Sequence, residues 1–305
     1  MHDVEFMNPD AFPPQPPPAN QRVADYAADA SAASRQVMKD WRPQRVAYGP
    51  DPSNVLDIFS ETRTFSDTST QNLRPALIFF HGGAWMAGYP WWSSYMAPGV
   101  RRAGGILVAP TYRLAPEQKF PRQLEDVAAA IAWVFRNGAQ FGIDPDRLVI
   151  GGHSAGGHLA ALACLHPTAL PDVGVPYGIV KACMALSSSF NLHYPDAAPG
   201  SGEERVYKFL LADRAHDHAA SPINYLSDRI PPFYLVHGER DFERIIRTSR
   251  DMAAAIQARN QQICIEEWSG LDHFDTHLAL RDPQHPWYAR LQNVFATTTP
   301  EHALC

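Results

Sequence analysis

Six short runs of almost unbroken apolar residues punctuate the chain. They are "PALIFF" (75–80), "GILVAP" (105–110), "RLVIGG" (147–152), "KACMALSS" (181–188), "PFYLVHG" (232–238) and "QICIEEW" (262–268). Runs this short, without alternation, fit strands buried on both faces. Between them the apolar positions take the helical period. In "FPRQLEDVAAAIAWVFRNG", Leu124, Val127, Ala128, Ile131 and Val134 or Phe135 form an i, i+3, i+4 stripe that Gly138 can stop. "RTSRDMAAAIQARNQ" (247–261) repeats the pattern, and the Ala-rich segment 23–41 predicts another helix. Strands alternating with helices require crossovers, so a mostly parallel sheet covered on both faces is expected. Upstream, "VAYGP" and "VLDIFSE" flank the turn signal "GPDPSN" and predict an antiparallel pair. "FPPQPPPAN" (12–20) reads as an extended, poorly ordered lead-in, because proline fixes φ and lacks a donor. Residues 189–222, rich in Pro, Gly, His and Asp, break the regularity. They read as an insertion over the sheet, with one helical patch at "EERVYKFLLAD".

Composition narrows the function classes. Of 305 residues 45% are hydrophobic and 19% charged, which suits a sizeable core. A formal net charge of −6 gives no electrostatic case for nucleic acid or an anionic membrane. The first residues show no basic-then-apolar leader, and no apolar run approaches the roughly 18 residues of a membrane span. Cys164, Cys183, Cys264 and Cys305 show no CxxC spacing, so they read as reduced thiols in a cytoplasmic protein.

The chemistry concentrates at "VIGGHSAGGHLAAL" (149–162), where an apolar run meets an Ala/Leu-rich one. Gly152-His153-Ser154-Ala155-Gly156 has the spacing of a tight strand-to-helix turn that exposes a serine, with glycines relieving the crowding two residues away. His81-Gly82-Gly83-Ala84-Trp85 follows the strand "LIFF". Its two glycines leave N–H groups that, with the N–H of Ala155, can surround an oxyanion. His81 itself reads as a structural pin. A base and its orienting acid should follow the serine in the order acid, then histidine. Asp241 in "HGERD" and His273 in "DHF" both lie just past strand ends, where open α/β sheets bind ligands. Glu239 and Glu243 compete for the acid role and read as a solvated rim.

Trp85, Tyr89, Trp91, Trp92 and Tyr95 crowd the loop after HGG. They suit packing against the N-terminal helix or a wall for a flat substrate, with Phe190, Tyr194, Tyr207 and Phe209 opposite. Trp85, Trp91 and His153 are the candidate substrate contacts. His273 and His277 at i, i+4, and His216 and His218 at i, i+2, lack HExxH and an obvious third ligand. No catalytic metal is expected. The Gly pairs at 104–105 and 151–152 do not make a phosphate-binding fingerprint, so no nucleotide cofactor is expected either.

Together "HGGAW" (81–85), "PTYRLAPEQKFPRQLEDV" (110–127), "DPDRLVIGGHSAGGHLA" (144–160), "HGERD" (237–241) and "DHF" (272–274) resemble the hormone-sensitive-lipase-like esterase group of α/β-hydrolases. The loop has Ala84 where a third glycine is common. "VAYGPDPSNVLDIFSE", "ASPINYL" (220–226) and "DHFDTHLALRDPQHPW" resemble bacterial arylformamidases of the kynurenine formamidase branch. The resemblance implies Ser154, Asp241 and His273 as catalytic triad, and Gly82, Gly83 and Ala155 as oxyanion hole. It implies an α/β-hydrolase domain over 46–300 with a small cap, built from residues 1–45 and an insertion near 189–222. The expected activity is hydrolysis of short or aromatic carboxylic esters through an acyl-enzyme. The rivals are an arylformamidase or aryl-amide or carbamate hydrolase, and a non-catalytic binding protein on the same fold. The expected partner is a small-molecule ester or amide, with neither nucleic acid nor membrane, and the oligomeric state is left open.

Overall fold

The computed structural model describes residues 6–61 and 73–296. Among these residues eight strands form one sheet in the order β1-β2-β4-β3-β5-β6-β7-β8. They are β1 (Gln44–Ala47), β2 (Val55–Phe59), β3 (Arg74–Phe80), β4 (Ile106–Pro110), β5 (Ile143–His153), β6 (Val180–Leu186), β7 (Phe233–Arg240) and β8 (Ile263–Asp272). The β1–β2 and β2–β4 pairs are antiparallel. Every other neighbouring pair is parallel, as the apolar runs predicted.

Alternation along the central strands sorts side chains into two cores. On one face Leu77 and Phe79 of β3 join Val149, Met184 and Tyr234. That face is covered by α1 (Gln21–Asp40), α2 (Ala97–Arg102) and α8 (Pro286–Ala296), through Tyr26, Val100 and Leu291. On the other face Ile78 and Phe80 join Ile150, Cys183 and Leu235. They meet Ile131, Leu159 and Met252 of α3 (Arg122–Asn137), α4 (Ala155–Leu165) and α6 (Glu243–Gln257). Within α3 the predicted stripe is buried, and Val134 rather than Phe135 takes its last place.

Local departures from expectation have physical causes. The Pro-rich lead-in is extended but pinned: Gln15 both donates to the Gly88 carbonyl (2.9 Å) and accepts from its N–H (2.8 Å). Phe12 adds edge contacts to Tyr89 and Trp91. In the insertion the helical patch divides into α5 (Gly202–Arg205) and a π-helical turn, Val206–Leu210. A backbone bond from Ile223 to Phe190 and one from Leu192 N–H to Ser221 Oγ tie the two ends of the insertion together. Helix α6 begins four residues earlier than the apolar pattern suggested. Helix α7 (Asp275–Leu278) is a single turn. The reading of four reduced thiols needs correction. Cys164 and Cys183 are free, but Cys264 is disulfide-bonded, which removes thiol usage as an argument for a reducing compartment. Cys305 lies outside the described residues. Among these residues no helix is long and apolar enough to cross a membrane.

Candidate active site

Strand β5 ends at His153, and α4 starts at Ala155. Ser154 joins them at φ +54° and ψ −119°, a conformation L-residues rarely adopt. Two backbone bonds hold it there. Ser154 N–H donates to Leu186 O (2.9 Å), and Ser154 O accepts from His158 N–H (3.0 Å). The flanking glycines are required by close approach. A Cβ on Gly152 would collide with the Gly156 backbone, and one on Gly156 with the carbonyls of Phe80 and His81.

Three side chains from separate strand ends converge on this turn. Ser154 Oγ lies 2.9 Å from His273 Nε2. His273 Nδ1 lies 2.8 Å from Asp241 Oδ1. With Nδ1–H donating to Asp241, Nε2 is left as the acceptor for the serine hydroxyl. Burial opposes the charge on Asp241, but the hydrogen bond and charge of His273 and the Phe242 N–H outweigh it and hold its pKa below the usual carboxylate value. The rival acids lie elsewhere. Glu239 is exposed and accepts from Ser269 Oγ and Gly270 N–H, both at 2.7 Å. Glu243 is exposed on the first turn of α6.

The HGG loop lies against the serine. A Cβ on Gly82 would stand 3.2 Å from Ser154 Cβ. Gly83 has φ +120°, and a Cβ there would collide with the Ala87 carbonyl. The N–H of Ala155 opens α4 and has no earlier turn to bond to. His81 pins the loop: its ring reaches Gly82 O (2.7 Å) and Thr111 Oγ1 (2.9 Å) and stacks on Tyr112. Burial drops its pKa to about 4, so it stays neutral.

Two of the three candidate substrate contacts are placed elsewhere. His153 is buried behind the site, and its Nε2–H donates to the His273 carbonyl (2.8 Å). Burial lowers its pKa to about 3. Trp91 stacks on Tyr89 at 4.2 Å and meets Phe12 edge-on. Trp92 packs on Tyr26, and Tyr95 N–H donates to Ser34 Oγ of α1. This loop therefore packs against the N-terminal segment, because its rings find apolar partners on α1 and the lead-in. Trp85 is turned toward the insertion. Its Nε1–H donates to His158 Nδ1 (3.2 Å), and His158 Nε2–H donates to Ala220 O (2.7 Å).

Thr276 and Phe242 carried no sequence signal of their own. Thr276 Oγ1 donates to the His273 carbonyl (3.0 Å). Phe242, 43% exposed, sets its ring 4.7 Å from that of His273. His277, spaced for a metal with His273, instead bonds Tyr26 OH through Nδ1 at 2.8 Å. Among the described residues no group of three His, Cys, Asp or Glu side chains is placed to hold a metal ion.

The family model BD-FAE matches residues 57–256, about two thirds of the chain. The chain belongs to the BD-FAE family. This BD-FAE chain is 28% identical over 267 residues to "Isoprenylcysteine alpha-carbonyl methylesterase ICME" of Arabidopsis thaliana, covering 82% of the chain and 59% of the relative. It is 30% identical over 242 residues to "Esterase LipC" of Mycobacterium tuberculosis, covering 75% and 59%. It thus spans about three fifths of the length of each of these curated relatives. Among solved structures, "Thermogutta terrifontis esterase 2 phosphonylated by sarin" superposes with a TM-score of 0.67 at 22% identity, over 84% of this chain and 96% of the other. The shared architecture is the α/β-hydrolase fold.

Proposed function

We propose that this BD-FAE protein is a serine carboxylesterase working through an acyl-enzyme. The observation that carries the reading is the Ser154–His273–Asp241 line, with hydrogen bonds of 2.9 and 2.8 Å at the mouth of a strained strand-to-helix turn. His273 Nε2 takes the Ser154 Oγ proton as Oγ attacks the ester carbonyl carbon. The carbonyl π electrons move to oxygen, and that oxyanion is received by the N–H groups of Gly82, Gly83 and Ala155. Losing one such donor typically costs about 2.7–4 kcal/mol of transition-state stabilisation. His273 then protonates the departing alkoxide. Water, deprotonated by the same nitrogen, releases the acid. Asp241 fixes the imidazole tautomer and stabilises the imidazolium. No metal is needed in this sequence, because nucleophile, base and oxyanion donors are all protein groups.

The substrate reading is an ester with a short or aromatic acyl or leaving group. Phe242 supports it by offering an exposed aromatic face beside the imidazole that protonates the leaving group. The esterase names of the relatives support ester chemistry. The formamidase-like stretches in the sequence favour a second reading, cleavage of aryl formamides by the same groups.

One experiment covers these points. A fluorophosphonate should label the wild-type protein on Ser154, located by mass spectrometry, and fail to label a folded Ser154→Ala variant. Label on another serine would remove the assignment. Matched phenyl esters and formanilides then rank the two substrate readings. A kcat/KM rising steadily from acetyl to palmitoyl esters would contradict the short-acyl reading, since each methylene in a fitted pocket is worth only about 1–3 kcal/mol.

A further inference from the structure

Helix α1 meets the turn that carries His273 through polar contacts as well as packing. Arg22 forks onto Asp272, with Nε to Oδ2 at 2.8 Å and Nη2 to Oδ1 at 2.7 Å. The same Nη2 reaches Asp275 Oδ1 at 2.7 Å. Asp272 Oδ1 in turn accepts the N–H groups of Phe274 and Asp275, each at 2.8 Å, so one carboxylate closes the backbone immediately around His273. One turn along α1, Tyr26 packs its ring 5.1 Å from Phe274 and bonds His277. The Arg22 guanidinium also lies 5.0 Å from the centre of the Phe274 ring. From beneath, His153 and Thr276 hold the His273 carbonyl.

We propose that α1 is a working part of the catalytic centre, with Arg22 and Tyr26 as positioning residues that hold the 272–277 turn and thereby keep His273 in register with Ser154. Asp241 fixes only the far end of the imidazole. Where its Cα sits depends on the turn, and the forked bond from Arg22 sets both the distance and the plane of Asp272. Displacements of about 1 Å at a reacting group can cost about 10²-fold in rate. Both α1 and His273 lie outside the residues matched by the family model.

The proposal rests on the triad reading, and the test separates the two. Arg22→Ala should lower kcat, and the rate of fluorophosphonate reaction at Ser154, by about tenfold or more while leaving KM within about twofold. Arg22→Lys should recover part of the loss, because an ammonium keeps the charge without the fork. Asp272→Asn should lower kcat similarly, and the Arg22→Ala/Asp272→Asn pair should be no worse than the more impaired single variant. Met38→Ala serves as the comparison. It removes apolar packing at the far end of α1 from Arg22 and should lower Tm without changing kcat per folded molecule. If Arg22→Ala fails to fold, Arg22→Lys and Asp272→Asn carry the test. Wild-type protein that does not react at Ser154 would overturn the esterase reading. Wild-type protein that reacts, with clamp variants reacting equally fast per folded molecule, would overturn the positioning role alone.

Discussion

At Ser154 the backbone is held at φ +54°, where a non-glycine residue costs about 1–3 kcal/mol. The turn lifts Oγ out of the core toward His273, while the residue before it, His153, stays in the core. That opposition explains why the exposed serine of the turn was legible in the sequence and the placement of its neighbour was not. G-x-S-x-G records a steric requirement that only glycine meets. Nothing in "GHS" records which way the histidine points. The same holds for Trp91, whose type suits a pocket wall and a core equally. Asp241 and Glu243 are two residues apart in sequence, and burial separates them. Asp241→Asn should lower kcat by about 10³–10⁴-fold, because an amide facing Nδ1 favours the wrong imidazole tautomer. Glu243→Gln, at an exposed position, should leave kcat little changed. Initial rates on p-nitrophenyl acetate with both variants verified as folded would check the ranking, and the reverse order would transfer the role to Glu243.

Among the elements, the central strands were the easiest to read, since a strand buried on both faces has no room for polar residues. Strand ends were harder. Residues 187–188 continue the composition of β6, but Ser187 turns to φ +49° and leaves the sheet to bond Thr276. The packing of α1 was also hidden. Its buried positions Tyr26, Ala30, Ser34 and Met38 repeat every four residues, yet the sequence does not say what that stripe faces. The antiparallel edge holds a feature with a measurable cost. Asp57 on β2 is fully buried, and Arg45 on β1 grips it with two bonds of 2.7 Å. Burial still raises the Asp57 pKa despite that grip. Arg45→Ala leaves the carboxylate unpaired and should destabilise the fold by about 3–5 kcal/mol, read by urea unfolding. Arg45→Met combined with Asp57→Leu should restore most of it, since apolar replacements leave no charge to desolvate.

For the molecule as a whole, four of the buried histidines set a response to acid. Burial lowers the pKa of His81 and His158 to about 4 and of His153 to about 3, and takes His277 well below its usual value. Unfolded, each would titrate near pH 6.5. Below that value the unfolded chain binds protons that the folded chain refuses. The stability these residues contribute is therefore complete above about pH 6.5 and is lost as pH falls toward about 4. Each contributes a slope of up to about 1.4 kcal/mol per pH unit. Calorimetry should show Tm dropping steeply between pH 6.5 and 4.5, with up to about four protons taken up on unfolding near pH 5. A flat Tm across that range would contradict the buried neutral state.

The sheet order has one more consequence. Ser154 leaves β5, which has strands on both sides, whereas His273 follows β8, which lies at the edge of the sheet and pairs with β7 among the described residues. Most of β8 is half-buried or exposed. A centre drawn from the middle and the rim of one sheet lasts only as long as the rim, because edges open locally at lower free energy than the core. Heat should silence this protein before it melts. Hydrolysis should vanish at temperatures where far-ultraviolet dichroism still reports an intact sheet and return on cooling, while amide exchange reaches Trp268–Asp272 well before Val149–Gly152.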